Sequence, residues 1–512
     1  MIDRQRKFDA YLAYQSLNHL NQDHQIDAVG ELIDLSFELK RVDGAKKAIE
    51  LANSINKDDL TPSNFIVLHY NLANAWQAIR VITRHTTTAD WDFEQEELGQ
   101  EIINLRTAAN HPAFSKLAKD RQCQILTNLG NHFSYIGRFV EAQGFWSQAI
   151  ATIPKFAMAI GNKGFGLIQY GKTERDNFSP LFFNIGYYLL QKALSLRKYL
   201  EPGAAEYFEQ AVAELEENLS SKLLHAELDL STEYSLGETG SEQRYRKWSL
   251  ENTLFLHPVN DITVENYAAH DCLMIPPILA PVNTPPLYHN FYNQIKQEYV
   301  AARYFLFEGI NCKGIHIADK GVQLTDTHEV LAYSINTEKV KIAYRICYSL
   351  FDKIAYFLNS YLNLSIPERQ VNFRTMWYSG NKVLRPEFAK STNWPLRGLF
   401  WVSKDLFDEN LQDTIEPEGK ELAKIRNFME HKSLRIKQSD VELPFVVPDQ
   451  ISHTISRQAL EAKTLKVMKL SRAAILYLTY AIANIEIEKS KNIDQSKVGT
   501  FSFGTYPERN KI

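Results

Sequence analysis

Cysteine is scarce in this chain. Cys123, Cys272, Cys312 and Cys347 stand far apart in 512 residues, with no CxxC pair among them. Four scattered thiols argue against a disulfide framework and against a zinc site, and they suit a reducing compartment. Long apolar runs are missing as well. The best stretch, AAILYLTYAIANI at residues 473–485, is too short to span a bilayer and carries Thr479 and Asn484. It is expected to be a buried core helix. The opening residues, MIDRQRKFDAY, place charges where a secretory signal needs an apolar stretch. The expectation is a cytoplasmic protein without a membrane anchor. A surplus of positive charge is also absent. With 57 Lys and Arg against 61 Asp and Glu, the formal charge is −4. This argues against a chain coated in nucleic acid but leaves room for a local basic groove. No metal and no cofactor is expected.

What is present has the balance of a folded protein. Hydrophobic residues make up 45% and charged residues 23%, so disorder is not the default. The chain is too long for one hydrophobic core, which predicts two or three domains.

The front of the chain repeats itself. Residues 126–154 carry Leu126, Leu129, Gly130, Phe133, Gly137, Ala142, Trp146, Ala149 and Pro154. Small residues let two helices of a hairpin approach, large ones fill the space to the next hairpin, Gly137 permits the turn and Pro154 ends the second helix. These positions resemble a tetratricopeptide repeat (TPR). Its second-helix spacing recurs at Ala45, Ile49, Ala52 and at Ala204, Phe208, Ala211. First-helix signatures recur at Leu72, Ala73, Trp76 and at Ile185, Gly186, Leu189, and residues 84–98 look like an insertion. A degenerate array from about residue 5 to 218 is expected, and such arrays commonly bind a protein or peptide partner.

One motif competes with this reading. GLIQYGKT at residues 166–173 matches G-x-x-x-x-G-K-[ST]. A phosphate loop needs a strand before it and a helix after it. Here residues 157–170 continue the repeat as a first helix, with Gly171 at the turn position, and the polar TERDNFSP follows as a loop. The helical reading is preferred over a nucleotide site.

Residues 222–290 are less regular. GETGSEQRYRKW is polar and turn-rich, MIPPILAPVNTPP is a Pro-rich connector, and residues 248–261 lie between as ordered structure. Helical periodicity returns at residues 290–309, 338–362, 418–436 and 453–489, which suggests an up-down bundle. The expected division is 1–218 repeats, 219–284 connector of mixed structure, 285–490 bundle and 491–512 tail.

The third of those segments holds Arg426-Asn427-Phe428-Met429-Glu430-His431. The spacing R-x-x-x-x-H also occurs at Arg80…His85 and Arg106…His111. Only the third copy has Asn beside Arg, within a strong helical pattern. With FDKIAYFLN (residues 351–359), WPLRGLFWVSKDL (394–406) and IRNFMEHKSL (425–434), it resembles the RNxxxH-type HEPN family, over roughly residues 245–490. The resemblance implies an all-α chain, a TPR-like array followed by a HEPN-type helical bundle. It also implies a metal-independent ribonuclease, a homodimer, and a role in bacterial defence or toxin–antitoxin behaviour.

The residue types fit that chemistry. RNA cleavage without metal uses the ribose 2′-OH as nucleophile. Histidine, with an unperturbed pKa of about 6.5, can take or give the proton. An Arg fork can stabilise negative charge growing on the phosphate. The expected catalytic residues are His431 for proton transfer, Arg426 as the clamp and Asn427 for orientation. Lys424, Lys432 and Arg435 are expected to bind RNA, and Lys420 and Lys437 make the segment net basic against Glu421 and Glu430. Asp352 and Glu298 are further candidates for the same groove. Arg426 and His431 lie about 140° apart on one helix, so two helices crossing at a dimer axis are part of the expectation. Two other readings stay open. Arg426 could simply pair with Glu430 in an inert, adaptor-type bundle, or the chain could use a nucleoside triphosphate through Gly166–Thr173.

Overall fold

The computed structural model describes residues 2–84, 91–174, 178–226, 234–281, 284–312, 314–326, 329–380, 383–407, 417–438, 451–491 and 503–511. Among them are eighteen α-helices and one two-stranded sheet. The chain is all-α in class. No helix among the described residues is long and apolar enough to cross a membrane.

The N-terminal region is a succession of helices: α1 (Ile2–Leu12), α2 (Gln22–Glu38), α3 (Val42–Ser54), α4 (Pro62–Arg84), α5 (Glu96–Ala109), α6 (Lys119–Tyr135), α7 (Phe139–Thr152), α8 (Ala157–Glu174), α9 (Ser179–Ser195) and α10 (Ala204–Asn218). Consecutive helices pack as hairpins, α2 on α3, α4 on α5, α6 on α7 and α8 on α9, which is consistent with repeats. Trp146 of α7 shows how sequence sets this packing. Its indole Nε1 donates to Asn131 at 3.0 Å, and the ring fills the space that a side chain at Gly130 or Gly166 would occupy. Gly166 is therefore a seat for an aromatic ring in α8. Helix α8 runs on to Glu174, so Gly171 lies inside it, where the sequence reading expects the turn.

A short helix α11 (Ser221–Leu224) leads to α12 (Gly240–Glu251). The latter covers most of GETGSEQRYRKW, which reads as turn-rich. Local hydrogen bonds explain the helix. Thr239 accepts from the Glu242 N–H at 3.2 Å, the Glu242 carboxylate accepts from the Glu238 N–H at 3.1 Å, and Arg246 pairs with Glu242 one turn on. Residues 254–275 then contribute Leu254, Phe255, Leu256, Val259 and Leu273 to the main core. Asp271 and Asp261 anchor them to Arg303 at 2.6 Å and Arg472 at 2.5 Å.

The C-terminal bundle comprises α13 (Leu287–Asn311), α14 (Ile335–Tyr361), the short α15 (Pro386–Ala389), α16 (Trp394–Phe407), α17 (Pro417–His431) and α18 (Arg457–Lys491). Residues 473–482 of α18 are all buried, which makes this apolar run the centre of the bundle. One helical expectation ends early and another begins late. Residues 433–436 and 453–456 are strands, β1 (Ser433–Lys437) and β2 (Ser452–Ser456), paired in parallel with Leu434 opposite His453. Leu434 and Ile436 are buried at the two-residue spacing of a strand, which overrides the helical periodicity before them. The last helix starts only after Ser456, whose hydroxyl accepts from the Ala459 N–H at 3.2 Å.

Helix α16 docks on the repeat array. Its Asp405 receives Arg106 of α5 at 2.9 Å and Arg138 at the start of α7. Trp394 donates to the Ser134 carbonyl at 2.6 Å and Trp401 to the Phe93 carbonyl at 3.0 Å. One continuous core runs from Phe133, Phe139 and Trp146 to Phe400, Trp401 and Tyr477.

Candidate nuclease site

Helix α17 is held by Leu422, Ile425 and Met429, all buried and spaced three and four apart, facing α14, α16 and α18. Every residue singled out for chemistry lies off that stripe. Arg426, Asn427 and His431 are exposed. The Arg426 guanidinium stands on the α14 flank, 5.8 Å from the centre of the Tyr348 ring. Burial pushes the Tyr348 hydroxyl up in pKa, and the Arg426 charge opposes that shift. Asn427 and His431 share the other flank with Lys424. Neither makes a hydrogen bond or ion pair among the described residues.

Glu430 is not held by Arg426. It pairs with Arg345 of α14 at 3.5 Å, and Arg345 also donates to the Met429 carbonyl. A guanidinium there satisfies an orphan carbonyl and complements the negative end of the α17 dipole. Lys424 and Lys432 are exposed, the latter with its ammonium 5.1 Å from the Phe428 ring. Arg435 of β1 is half-buried and engaged by Glu329 at 3.5 Å, so an RNA contact there requires that pair to open. Lys437 is half-buried, and the Lys420 side chain lies outside the described residues. Asp352 sits near the Tyr348 flank, but its carboxylate accepts from the Phe373 N–H at 3.1 Å. Glu298 is bound to Lys353 and to Gln294 at 3.0 Å. Both carboxylates are turned to contacts within the bundle. Of the two decoy pairs, Arg106 is consumed by Asp405, Arg80 by Glu101 at 2.6 Å, and His85 lies outside the described residues.

Sequence reasoning missed His453. The β1–β2 pairing brings it beside α17, with its ring 5.5 Å from Phe428. Burial, and then the Lys424 charge, hold its imidazole below the ordinary pKa, and its buried Nε2 has no hydrogen-bond partner. No signal in the sequence places it there, because the placement depends on a strand pairing across fourteen intervening residues.

Two other candidate sites lie away from α17. Among the described residues, one group could gather round a metal ion: His257, His270 and Cys272, with ligand atoms within 4.8 Å of one another. The Val259 N–H donates to His257 Nδ1 at 3.2 Å, so the proton of the neutral ring sits on Nε2. With Nδ1 taken by the Val259 N–H and the proton on Nε2, neither ring nitrogen offers a free lone pair, so the trio suits a metal poorly. None of these residues lies on α17. The stretch Gly166–Thr173 lies wholly inside α8. Its N–H groups are spent on helix hydrogen bonds and are not arranged to cradle phosphate. Lys172 pairs with Glu214 at 2.7 Å.

Comparison with known proteins bears on the bundle. Residues 280–485 match the LA2681-like HEPN family. No curated protein and no solved structure matches the chain. The matched span begins just before α13 and ends inside α18, and it contains α17 with its exposed Arg426, Asn427 and His431. The C-terminal part of this chain is therefore a HEPN domain of the LA2681-like family, within a superfamily that is generally of ribonuclease type.

Proposed function

We propose that the chain is a metal-independent RNA endoribonuclease whose HEPN domain is governed by the helical array in front of it. The observation that carries this reading is the state of α17. Three residues suited to phosphodiester chemistry are presented on the surface, and no intramolecular contact among the described residues takes up Asn427 or His431. Polar residues of this kind are ordinarily exposed, so their placement contributes little to folding and leaves all three open to a substrate.

Each residue then has a task. His431 takes the proton of the ribose 2′-OH or gives one to the departing 5′-oxygen. Arg426 places paired N–H donors on the phosphoryl oxygens as their charge grows. Asn427 holds the phosphate or the imidazole in line. The products carry a 2′,3′-cyclic phosphate and a 5′-OH, and DNA survives because it has no 2′-OH. Lys424 and Lys432 steer the strand by charge. Arg426 and His431 point about 140° apart on one helix, so a homodimer that crosses two α17 helices supplies both to one phosphate. The array is the regulatory half, binding a protein or peptide partner that holds the nuclease silent until a defence or toxin-type trigger. The shared core between array and bundle supports such coupling, because a shift in α6–α7 has no soft linker to absorb it.

The test is RNA cleavage in EDTA by the purified full chain, beside His431→Ala and Arg426→Ala, with an all-DNA control. Cleavage by the wild type alone, of RNA alone, is the expected result. Cutting by both variants at the wild-type rate sinks the assignment.

A further inference from the structure

Arg426 does not stand alone on its side of α17. Glu430, one turn on, lies about 40° away round the helix, so the two share the flank that faces α14. Helix α14 meets that flank at two places. The Tyr348 ring centre lies 5.8 Å from the Arg426 guanidinium, and Arg345 pairs with Glu430 at 3.5 Å. Arg345 and Tyr348 are three residues apart and so are neighbours on α14. Two guanidiniums therefore border one stretch of the groove between α14 and α17, with Glu430 next to both.

The donors of Arg345 are only partly used. One N–H on Nη2 goes to the Met429 carbonyl. The contact with Glu430 is an ion pair without a hydrogen bond, and Nε is buried with no hydrogen-bond partner. A guanidinium has five donors, so most of these are unspent among the described residues. Arg426 makes no hydrogen bond or ion pair among them. The Arg345 and Glu430 side chains are 39% and 38% exposed, so a strand lying along the groove reaches both. An ion pair this open is weak, and a phosphate offers a guanidinium stronger, paired acceptors.

We propose that Arg345 is a second phosphate-binding residue of the α17 site. Arg426 takes the phosphate that is cut, and Arg345 takes the next one along the strand, where Glu430 gives way to it. The Cβ atoms of Arg426 and Glu430, one turn apart, are separated by roughly 5–6 Å, which is comparable with the distance between adjacent phosphates of a single strand. Arg345 moves no proton. It holds the strand in register with Arg426. The inference rests on the reading of α17 as an RNA site, but binding alone reads it.

The experiment is fluorescence anisotropy of a labelled oligouridylate at several salt concentrations, with the full chain carrying His431→Ala so that the strand survives. Each phosphate contact on a single strand contributes about 0.7 to the slope of log Kd against log salt. Arg345→Gln keeps a donor for the Met429 carbonyl but drops the charge. It is expected to raise the Kd about tenfold and to lower that slope by about 0.7. Arg345→Lys should restore the slope and most of the affinity. Glu430→Gln should tighten binding about threefold, because no carboxylate then repels the phosphate. A purely structural Arg345 would shift thermal melting and leave the salt slope alone. Wild-type affinity and slope in Arg345→Gln, or no saturable binding at all, overturns the contact. Should Arg345→Gln not fold, Glu430→Gln decides, and unchanged or weaker binding there overturns it. A wild-type chain that cuts RNA while Arg345→Gln binds normally keeps the nuclease and loses this contact. One that shows the expected binding shifts but never cuts keeps the contact and loses the nuclease.

Discussion

Gly137 and Gly398 meet backbone to backbone. A Cβ on Gly398 of α16 would overlap the Gly137 carbonyl oxygen, and a Cβ on Gly137 would overlap the Trp394 carbonyl and come within 2.8 Å of the Gly398 nitrogen. Gly137 also has φ +86°, the conformation that turns α6 into α7. One residue thus serves the repeat hairpin and the seat of the HEPN domain.

Gly398→Ala is accordingly expected to destabilise the whole chain by at least about 2 kcal/mol, since backbone on both sides leaves nothing to yield. Gly137→Ala adds the cost of a left-handed alanine. Chemical denaturation should show one transition shifted as a unit. Loss of the C-terminal transition alone would contradict a shared core.

Asp405 is buried between Arg106 and Arg138. Burial pushes its pKa up, but the two guanidiniums prevail and hold it below the ordinary carboxylate range. A depressed carboxylate contributes stability that is present above its unfolded pKa of about 3.9 and is lost as pH falls through the lower folded value. Asp405→Asn leaves two buried cations poorly compensated and is expected to cost about 3–5 kcal/mol near neutral pH. Denaturation midpoints at pH 7 and in acid, for wild type and variant, should converge as the pH drops.

His257 is fully buried, and burial, with the charges of His270 and Arg472, holds its pKa down to about 3. The unfolded ring takes a proton near pH 6.5 while the folded ring does not, so each pH unit below that costs about 1.4 kcal/mol of stability. Urea midpoints should fall between pH 6.5 and 5. His257→Asn should flatten that slope, and an unchanged slope would assign the acid sensitivity elsewhere.

Arg426→Ala and His431→Ala should each lower RNA cleavage by about a hundredfold or more. Stability should move by less than about 0.5 kcal/mol, because both side chains are exposed. If the site is assembled across a dimer axis, mixing the two inactive variants restores cleavage, since one site in each mixed dimer keeps an intact Arg and an intact His. No recovery in mixtures that demonstrably exchange subunits would place both residues of the site in one chain.

Gly166→Ala should destabilise the repeats by about 1–3 kcal/mol, because the added methyl enters the space of Trp146. Lys172→Ala should change stability by less than about 1 kcal/mol, as a surface pair with Glu214. A large effect of Lys172→Ala on nucleotide binding would revive the phosphate-loop reading.

Much of this was legible in the residues. Helical periodicity placed α13, α14 and the body of α18. The asparagine beside Arg426 separated one R-x-x-x-x-H from two decoys. The stripe Leu422, Ile425, Met429 left Arg426, Asn427 and His431 outside. The repeat register read GLIQY as helix and Gly171 as a turn; α8 runs on through the whole motif to Glu174, so the helical reading held but its end did not. These features depend on neighbours three or four residues away, and local spacing encodes them. Other features depend on partners far along the chain. The strands β1 and β2 pair across a long connection, so residues 433–436 looked like helix and His453 had no visible place beside α17. Arg345 was one more charge on a helix until α14 met the end of α17. Gly137 read as a turn glycine, and nothing local could tell that Gly398, 261 residues later, would press against it. Spacing along the chain determined the helices and which face of α17 is offered outward. Tertiary packing alone decided that array and HEPN domain share one core.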